Sequence, residues 1–92
     1  MLPISVIIPV RNAEHLIEKC LTSILKADPV EVFVVDGLST DHTLDIAKHF
    51  PVAIISARGQ GVPAARMMGV RAAHSTTIGL FDVDVELPDG GL

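Results

Sequence analysis

The sequence contains no tryptophan and no tyrosine, and its aromatic residues are three phenylalanines among 92 residues. The core must therefore be built from Val, Ile, Leu and Ala, as is usual for a parallel sheet buried on both faces. Cys20 is the single cysteine and cannot form an internal disulfide. No apolar run approaches the ~20 residues needed to span a bilayer. We expect a cytoplasmic protein without a transmembrane segment, whose contact with a membrane would be peripheral.

Basic residues are also scarce, with seven Lys and Arg against eleven Asp and Glu and a formal net charge of −4. They are scattered and form no basic stripe, which argues against binding nucleic acid through its phosphates. The length allows one domain and no more. We therefore expect residues 1–92 to form a single domain, which looks truncated because a larger domain would normally continue after 88–91.

Strand-like and helix-like segments alternate along the chain. Apolar, β-branched runs predict strands over 4–10, 30–35, 52–56 and 76–81, and helical periodicity and capping signals predict helices over 13–26, 39–50 and 63–73. Asn12 is the predicted N-cap of the first helix. Small residues along the third helix, including Gly69, would let its backbone lie close to a sheet. The β-α-β-α-β-α-β order implies right-handed crossovers and a mainly parallel sheet.

Acidic residues follow two of the predicted strands. Asp82 and Asp84 come directly after the last strand, and Asp36 ends the second one. Open α/β sheets bind ligands at the carboxyl ends of their strands. Three carboxylates at such positions predict a site for a metal ion together with a polyhydroxylated or phosphorylated ligand.

Four segments of the chain, in this order and at this spacing, resemble the N-terminal, nucleotide-binding half of the inverting family 2 glycosyltransferases. They are Ser5 to Glu14, Val34 to Thr43, Ala65-Arg66 with Gly69, and Phe81 to Asp84. The resemblance covers essentially the whole chain. It implies the GT-A fold, a Rossmann-like three-layer α/β/α domain of the nucleotide-diphospho-sugar transferase type, with strand order 3-2-1-4.

The same resemblance implies a set of nucleotide-binding residues, which are Pro9, Val10, Arg11, Asp36, Arg66 and Asp82. The first three would lie beside the base, although Arg11 stands where an aromatic residue is frequent. Asp36 would accept a hydrogen bond from the base, and a carboxylate suits a uracil N–H because it only accepts. Arg66 would reach the nucleotide from the third helix, and Asp82 would bind the ribose hydroxyls. Asp84, in the Asp-x-Asp motif, would bind Mn²⁺ or Mg²⁺.

The implied reaction is transfer of a glycosyl group from a nucleotide-diphosphate sugar, a UDP-sugar, to the hydroxyl of an acceptor that the sequence does not define. The cation would neutralise the charge of the diphosphate leaving group. Inversion also requires a general base to deprotonate the acceptor. In the resembling family that acid lies well beyond the metal motif, and neither Glu86 nor Asp89 is assigned the role.

Two other functions are compatible with parts of the sequence. The fold could serve as a non-catalytic nucleotide-binding or assembly module. Residues 81–84 also resemble the nucleophile motif of haloacid dehalogenase-like phosphatases, but that motif normally follows the first strand and is trailed by Gly-Thr. Independently of function, the last strand would be an unpaired apolar edge. We therefore expect a homo-oligomer that associates through residues 76–81 or through the tail from Val85 to Leu92.

Overall fold

The structure, a computed structural model, describes residues 1–85. Its strands are β1 (Leu2–Val10), β2 (Pro29–Asp36), β3 (Ala53–Ser56) and β4 (Thr77–Leu80), and its helices are α1 (Ile17–Lys26), α2 (Thr43–Ala47) and α3 (Val62–Ala72). The strands form one parallel sheet in the order β3-β2-β1-β4. This architecture confirms the predicted three-layer α/β class and the predicted strand order.

The register brings the ends of the strands to a common edge. Val10 is level with Asp36, and Asp36 is level with Ser56. On the other side of β1, Leu80 is level with Ile7. The residues that follow these strand ends therefore meet at one side of the sheet, which we call the carboxyl edge.

Side chains of β1 alternate between two hydrophobic layers. Val6 and Ile8 pack with α1, where Ile17 and Leu21 are also fully buried. Ile7 faces the opposite way and packs in the layer that includes Ala65 of α3. Each large aliphatic side chain buried in this way contributes about 1.5–3 kcal/mol to folding. β1 is thus covered on both faces, which explains its nearly continuous apolar sequence.

The first two helices are shorter than the sequence predicts. α1 begins at Ile17, with Leu16 at its N-cap and no side-chain cap. Asn12 instead has a left-handed backbone, with φ of 50°, and its side chain accepts hydrogen bonds from Thr40. The prediction that Asn12 caps α1 is wrong, because a partner from another loop competes for its oxygen. None of the helices in residues 1–85 has the length and apolarity required to cross a membrane.

At the opposite, amino edge of the sheet, Glu31 fastens the connection between α3 and β4. Its carboxylate accepts hydrogen bonds from the backbone N–H of His74 (2.5 Å) and from the hydroxyl of Ser5 (2.6 Å), and it lies 2.8 Å from Nδ1 of His74. Burial tends to raise the pKa of Glu31, but these hydrogen bonds outweigh it and lower the pKa to about 2. The ionised carboxylate is therefore part of the folded structure.

α3 lies closest to the sheet at Gly69. A Cβ added there would stand 2.4 Å from Cγ2 of Ile7 and 2.9 Å from its Cγ1. Ala65, one turn earlier, is also buried. The predicted close approach of this helix is confirmed, and it depends on the absence of a side chain at position 69.

Gly69→Ala should lower the free energy of unfolding. Crowding against Ile7 costs about 1–3 kcal/mol and should exceed the gain of ~1 kcal/mol that Ala brings to a helix interior. Urea denaturation of the variant measures the difference. Met67→Ala is the matched control, because Met67 lies on the exposed side of the same helix and should change stability little. A more stable Gly69→Ala protein would contradict the close contact.

The free energy of unfolding should fall as the pH drops from about 4.5 to about 2, because Glu31 titrates in that window. Its pKa is lower in the folded protein than the ordinary value of 4.5, so its contribution is complete above the ordinary value and is lost as the pH falls through the folded one. Glu31→Gln should remove this part of the acid dependence and cost about 1–2 kcal/mol at neutral pH. Urea denaturation across this pH range measures both effects, with Glu18→Gln, an exposed change on α1, as the control. An unchanged pH profile in Glu31→Gln would contradict the assignment.

Candidate functional site

A cleft of about 280 Å³ opens at the carboxyl edge. Its lining combines the ends of β1 and β2, the loop between β3 and α3, and the first turn of α3, through residues Pro9, Val10, Arg11, Gly37, Gly59, Gly61, Val62 and Ala65. Arg11 is the one charged residue of this lining. The cleft therefore offers small and apolar surfaces with a single cation at the end of β1.

Glycines shape the far wall of the cleft. Gly59 and Gly61 have φ of 73° and 92°, in the left-handed region that favours glycine. A Cβ on Gly59 would stand 3.0 Å from Cδ1 of Leu38, so the β3–α3 loop rests directly on the loop after β2. The sequence analysis did not identify Gly59, Gly61, Val62 or Ala65 as cleft lining. The Gly-x-Gly spacing just before a helix was the available signal.

Asp36 lies beside the cleft and is nearly inaccessible to solvent. Its side chain has two oxygens 3.2 and 3.3 Å from the backbone nitrogen of Ser39, which donates to them. Its sequence neighbour Gly37 and its register partner Val10 both line the cleft and share a 2.8 Å backbone hydrogen bond. The buried carboxylate of Asp36 is thus held in place by the β2–α2 loop.

Asp82 and Arg66 form an ion pair next to the cleft. Oδ1 of Asp82 accepts a hydrogen bond from Nη2 of Arg66 at 3.0 Å. Arg66 follows the cleft residue Ala65 on α3, and both side chains of the pair keep a large part of their surface in solvent. The chain then turns, with the backbone N–H of Val85 donating to the carbonyl of Asp82.

Asp84 is exposed at this turn, and its charge affects Cys20 of α1, the helix on the face of the sheet opposite to α3. The thiol of Cys20 on α1 is buried, and burial, reinforced by the negative charge of Asp84, raises its pKa to about 11. Cys20 is therefore a packed thiol. Asp84 lies within electrostatic reach of α1, whereas Asp82 pairs with α3. The predicted carboxylates lie at or just after the ends of strands that finish at the same edge of the sheet, and within residues 1–85 Asp82 alone among them is paired with a helix, through Arg66 of α3.

The described residues contain no group of three or more His, Cys, Asp or Glu side chains able to hold a metal ion. Asp84 makes no hydrogen bond or ion pair within residues 1–85, so its oxygens are available. Carboxylate oxygens suit Mg²⁺ and Mn²⁺, and Mg²⁺ is commonly bound by one or two carboxylates together with substrate phosphates. The donor set therefore fits a cation that is completed by a phosphorylated ligand. Glu86 and Asp89 lie outside the described residues.

Comparison with known proteins places this chain in a family. Residues 5–92 match the family described as Glycosyl transferase family 2. The chain is 32% identical over 92 residues to the uncharacterized glycosyltransferase EpsJ of Bacillus subtilis, covering 91% of this chain and 27% of EpsJ. It therefore spans less than a third of that relative.

Solved structures share the same fold. The mannosyltransferase PcManGT of Pyrobaculum calidifontis, in complex with GDP-Man and Mn²⁺, superposes with a TM-score of 0.87 at 26% identity, over 96% of this chain and 29% of that one. S. aureus TarS 1–349 in complex with UDP gives a TM-score of 0.80 at 28% identity, over 97% of this chain and 29% of that one. The sequence match over nearly the whole chain, joined to this fold, shows that the chain belongs to glycosyl transferase family 2.

Proposed function

We propose that residues 1–92 form a nucleotide-sugar-binding domain, the donor-binding part of a glycosyltransferase that passes a sugar from a nucleotide diphosphate to an acceptor hydroxyl with inversion. The observation that carries the proposal is the cleft at the carboxyl edge, with Asp36 on one side and the pair of Arg66 and Asp82 on the other. The complexes of related proteins with UDP and with GDP-Man and Mn²⁺ support it.

The base would enter the cleft between β1 and the first turn of α3. A carboxylate has about four acceptor positions, and the single N–H of Ser39 leaves acceptors on Asp36 for a base N–H. The guanidinium of Arg11 is planar and stacks on flat rings, so it can serve where an aromatic residue is frequent in the family. Pro9 and Val10 would add apolar contact with the base.

The ion pair between Arg66 and Asp82 is suited to exchange partners when a nucleotide binds. Exposed ion pairs contribute at most about 1 kcal/mol, and both side chains of this pair are substantially exposed. Asp82 would then accept hydrogen bonds from the ribose hydroxyls, while Arg66 would turn toward the phosphates. Breaking the ion pair costs the protein little stability, so the rearrangement takes little from the free energy of nucleotide binding.

Asp84 would contribute a carboxylate ligand to Mn²⁺ or Mg²⁺ when a nucleotide diphosphate is present. The cation, once bound, neutralises the charge of the leaving diphosphate. The exposure of Asp84, and the absence of another bond to its side chain within residues 1–85, support this role.

We propose a UDP-sugar as the donor. The complex of the related S. aureus TarS 1–349 with UDP supports this choice. A cytoplasmic location is proposed as well, and its support is that Cys20, the single cysteine, is a free thiol.

The alternative functions differ from this one in what they require. A binding or assembly module without turnover would use the same cleft, so nucleotide affinity without sugar transfer or hydrolysis would identify it. The phosphatase alternative needs the Asp-x-Asp pair after the first strand, whereas Asp82 follows β4, which is the last described strand and lies at the sheet margin. The family match argues against that alternative.

Asp84→Ala should abolish the metal-dependent part of UDP binding and leave the fold intact, because Asp84 is exposed and packs nothing. Isothermal titration calorimetry of UDP with and without Mn²⁺ measures this, and circular dichroism checks the fold. Glu18→Ala, which removes an exposed carboxylate from α1, is the matched control. Equal UDP affinity of the unaltered protein with and without Mn²⁺ would contradict the role of Asp84.

We also propose that two copies of the chain associate through β4. Within residues 1–85, β4 pairs only with β1, and Leu80 at its end is half exposed. Unpaired strand edges recruit other strands. Light scattering at high protein concentration should give a dimer mass, and Leu80→Lys should shift the mass toward the monomer. A monomer at all concentrations would contradict this interface, including one formed by the tail from Val85 to Leu92.

A further inference from the structure

We propose that Asn12 and Asp41 are positioning residues that set the wall of the nucleotide cleft. They do so by joining the β1–α1 loop (residues 11–16) to the β2–α2 loop (residues 37–42). The inference rests on the proposed function, because it assigns these side chains to the geometry of the same cleft.

Asn12 forms the first half of the connection. Its backbone N–H donates to the hydroxyl of Ser39 at 2.9 Å, and its Oδ1 accepts from the backbone N–H of Thr40 at 2.7 Å. The left-handed φ of 50° turns its backbone and side chain toward this loop together. Asn tolerates this conformation better than most residues. One residue therefore bonds the opposite loop through both its main chain and its side chain.

Asp41 forms the second half, in the reverse direction. Its Oδ2 accepts from the backbone N–H of Glu14 at 3.2 Å, and its Oδ1 accepts from the backbone N–H and the hydroxyl of Thr43. That hydroxyl accepts in turn from the backbone N–H of Ala13 at 2.8 Å, in a fully buried position. Glu14 completes the exchange by accepting from the backbone N–H of His42 at 3.1 Å.

The carboxylate of Asp41 is ionised within this network. Burial tends to raise its pKa, but the hydrogen bonds from Thr43 and Glu14 outweigh burial and hold the pKa below its ordinary value. Hydrogen bonds to an ionised acceptor are stronger than neutral ones. The contacts therefore hold the two loops together rather than only filling space between them.

The network ends at the cleft itself. Ser39, which accepts from Asn12, donates its own backbone N–H to Asp36. Asn12 directly follows the cleft residue Arg11, and Gly37 precedes the β2–α2 contacts. Displacing either loop would therefore move both Asp36, the proposed base acceptor, and Arg11, the charged residue of the cleft lining. A wall that is fixed before the ligand arrives saves the ordering cost of binding.

Two pairs of variants separate positioning from backbone strain and from general stability. Asn12→Gly keeps the left-handed backbone but removes the side-chain acceptor, whereas Asn12→Asp keeps both. The two carboxylate oxygens of Asp41 accept hydrogen bonds from Glu14 and Thr43. In Asp41→Asn, one of these oxygens becomes an NH₂ group and the other becomes a neutral acceptor. Glu31→Gln removes charged hydrogen bonds at the opposite edge of the sheet and is the control for stability.

The measurements use the 92-residue chain with UDP and Mn²⁺ as the probe. Asn12→Gly and Asp41→Asn should weaken UDP binding about tenfold, equivalent to about one hydrogen bond. Asn12→Asp should bind like the unaltered chain. Glu31→Gln should lower the melting temperature without changing UDP affinity. Amide hydrogen exchange at Glu14 should become faster in the Asn12→Gly protein. The substitution removes contacts of Asn12 and none of Glu14, so faster exchange there would report the coupling of the two loops.

Each outcome has a definite meaning. The inference is overturned if Asn12→Gly and Asp41→Asn bind UDP as tightly as the unaltered chain, or if Asn12→Asp is as weak as Asn12→Gly. Loss of affinity in Glu31→Gln would also overturn it, because stability alone would then explain the effect. If the unaltered chain binds neither UDP nor GDP, the proposed function fails, and unchanged exchange at Glu14 would separately refute the coupling of the loops.

Discussion

The pairing of β1 on both sides is the constraint on which the rest of the structure depends. β2 is added on one side of β1 and β4 on the other, and both pairings are parallel. Right-handed crossovers then require α1 and α2 on one face and α3 on the other. The direction in which strands are added reverses between β1 and β4. Open α/β sheets bind ligands at the carboxyl end of such a reversal, and the cleft includes the end of β1, which borders the reversal, and lies against α3.

The two edges of the sheet use polar groups differently. At the amino edge, Glu31 is mostly buried and ionised, and its carboxylate is hydrogen-bonded to Ser5 and His74. It therefore holds the chain between α3 and β4 in one position. At the carboxyl edge, Arg66 and Asp82 form a pair that solvent reaches and that is easily exchanged. Asp36 is intermediate, since it is buried but keeps acceptor capacity. An adaptable ion pair thus lies beside the cleft, whereas the contacts of Glu31 at the opposite edge are rigid.

Membership of glycosyl transferase family 2 explains why these features occur together. The chain also has its own character within that pattern. The described cleft lining has no aromatic residue, and Arg11 supplies its one planar side chain. In the turn after β4, Asp82 pairs with Arg66 of α3, whereas Asp84 is exposed.

The sequence alone determined the order of the elements, the parallel sheet and the collection of acidic residues at its carboxyl edge. These follow from local periodicity and from the handedness of crossovers, which do not depend on distant contacts. Only the tertiary structure decided where α1 begins, because Asn12 is bonded to residues 27 and 28 positions away. The same holds for Glu31, whose partner His74 lies 43 positions along the chain. Such partners cannot be read from a local pattern, since a short polar side chain takes the donor or acceptor that packing brings to it.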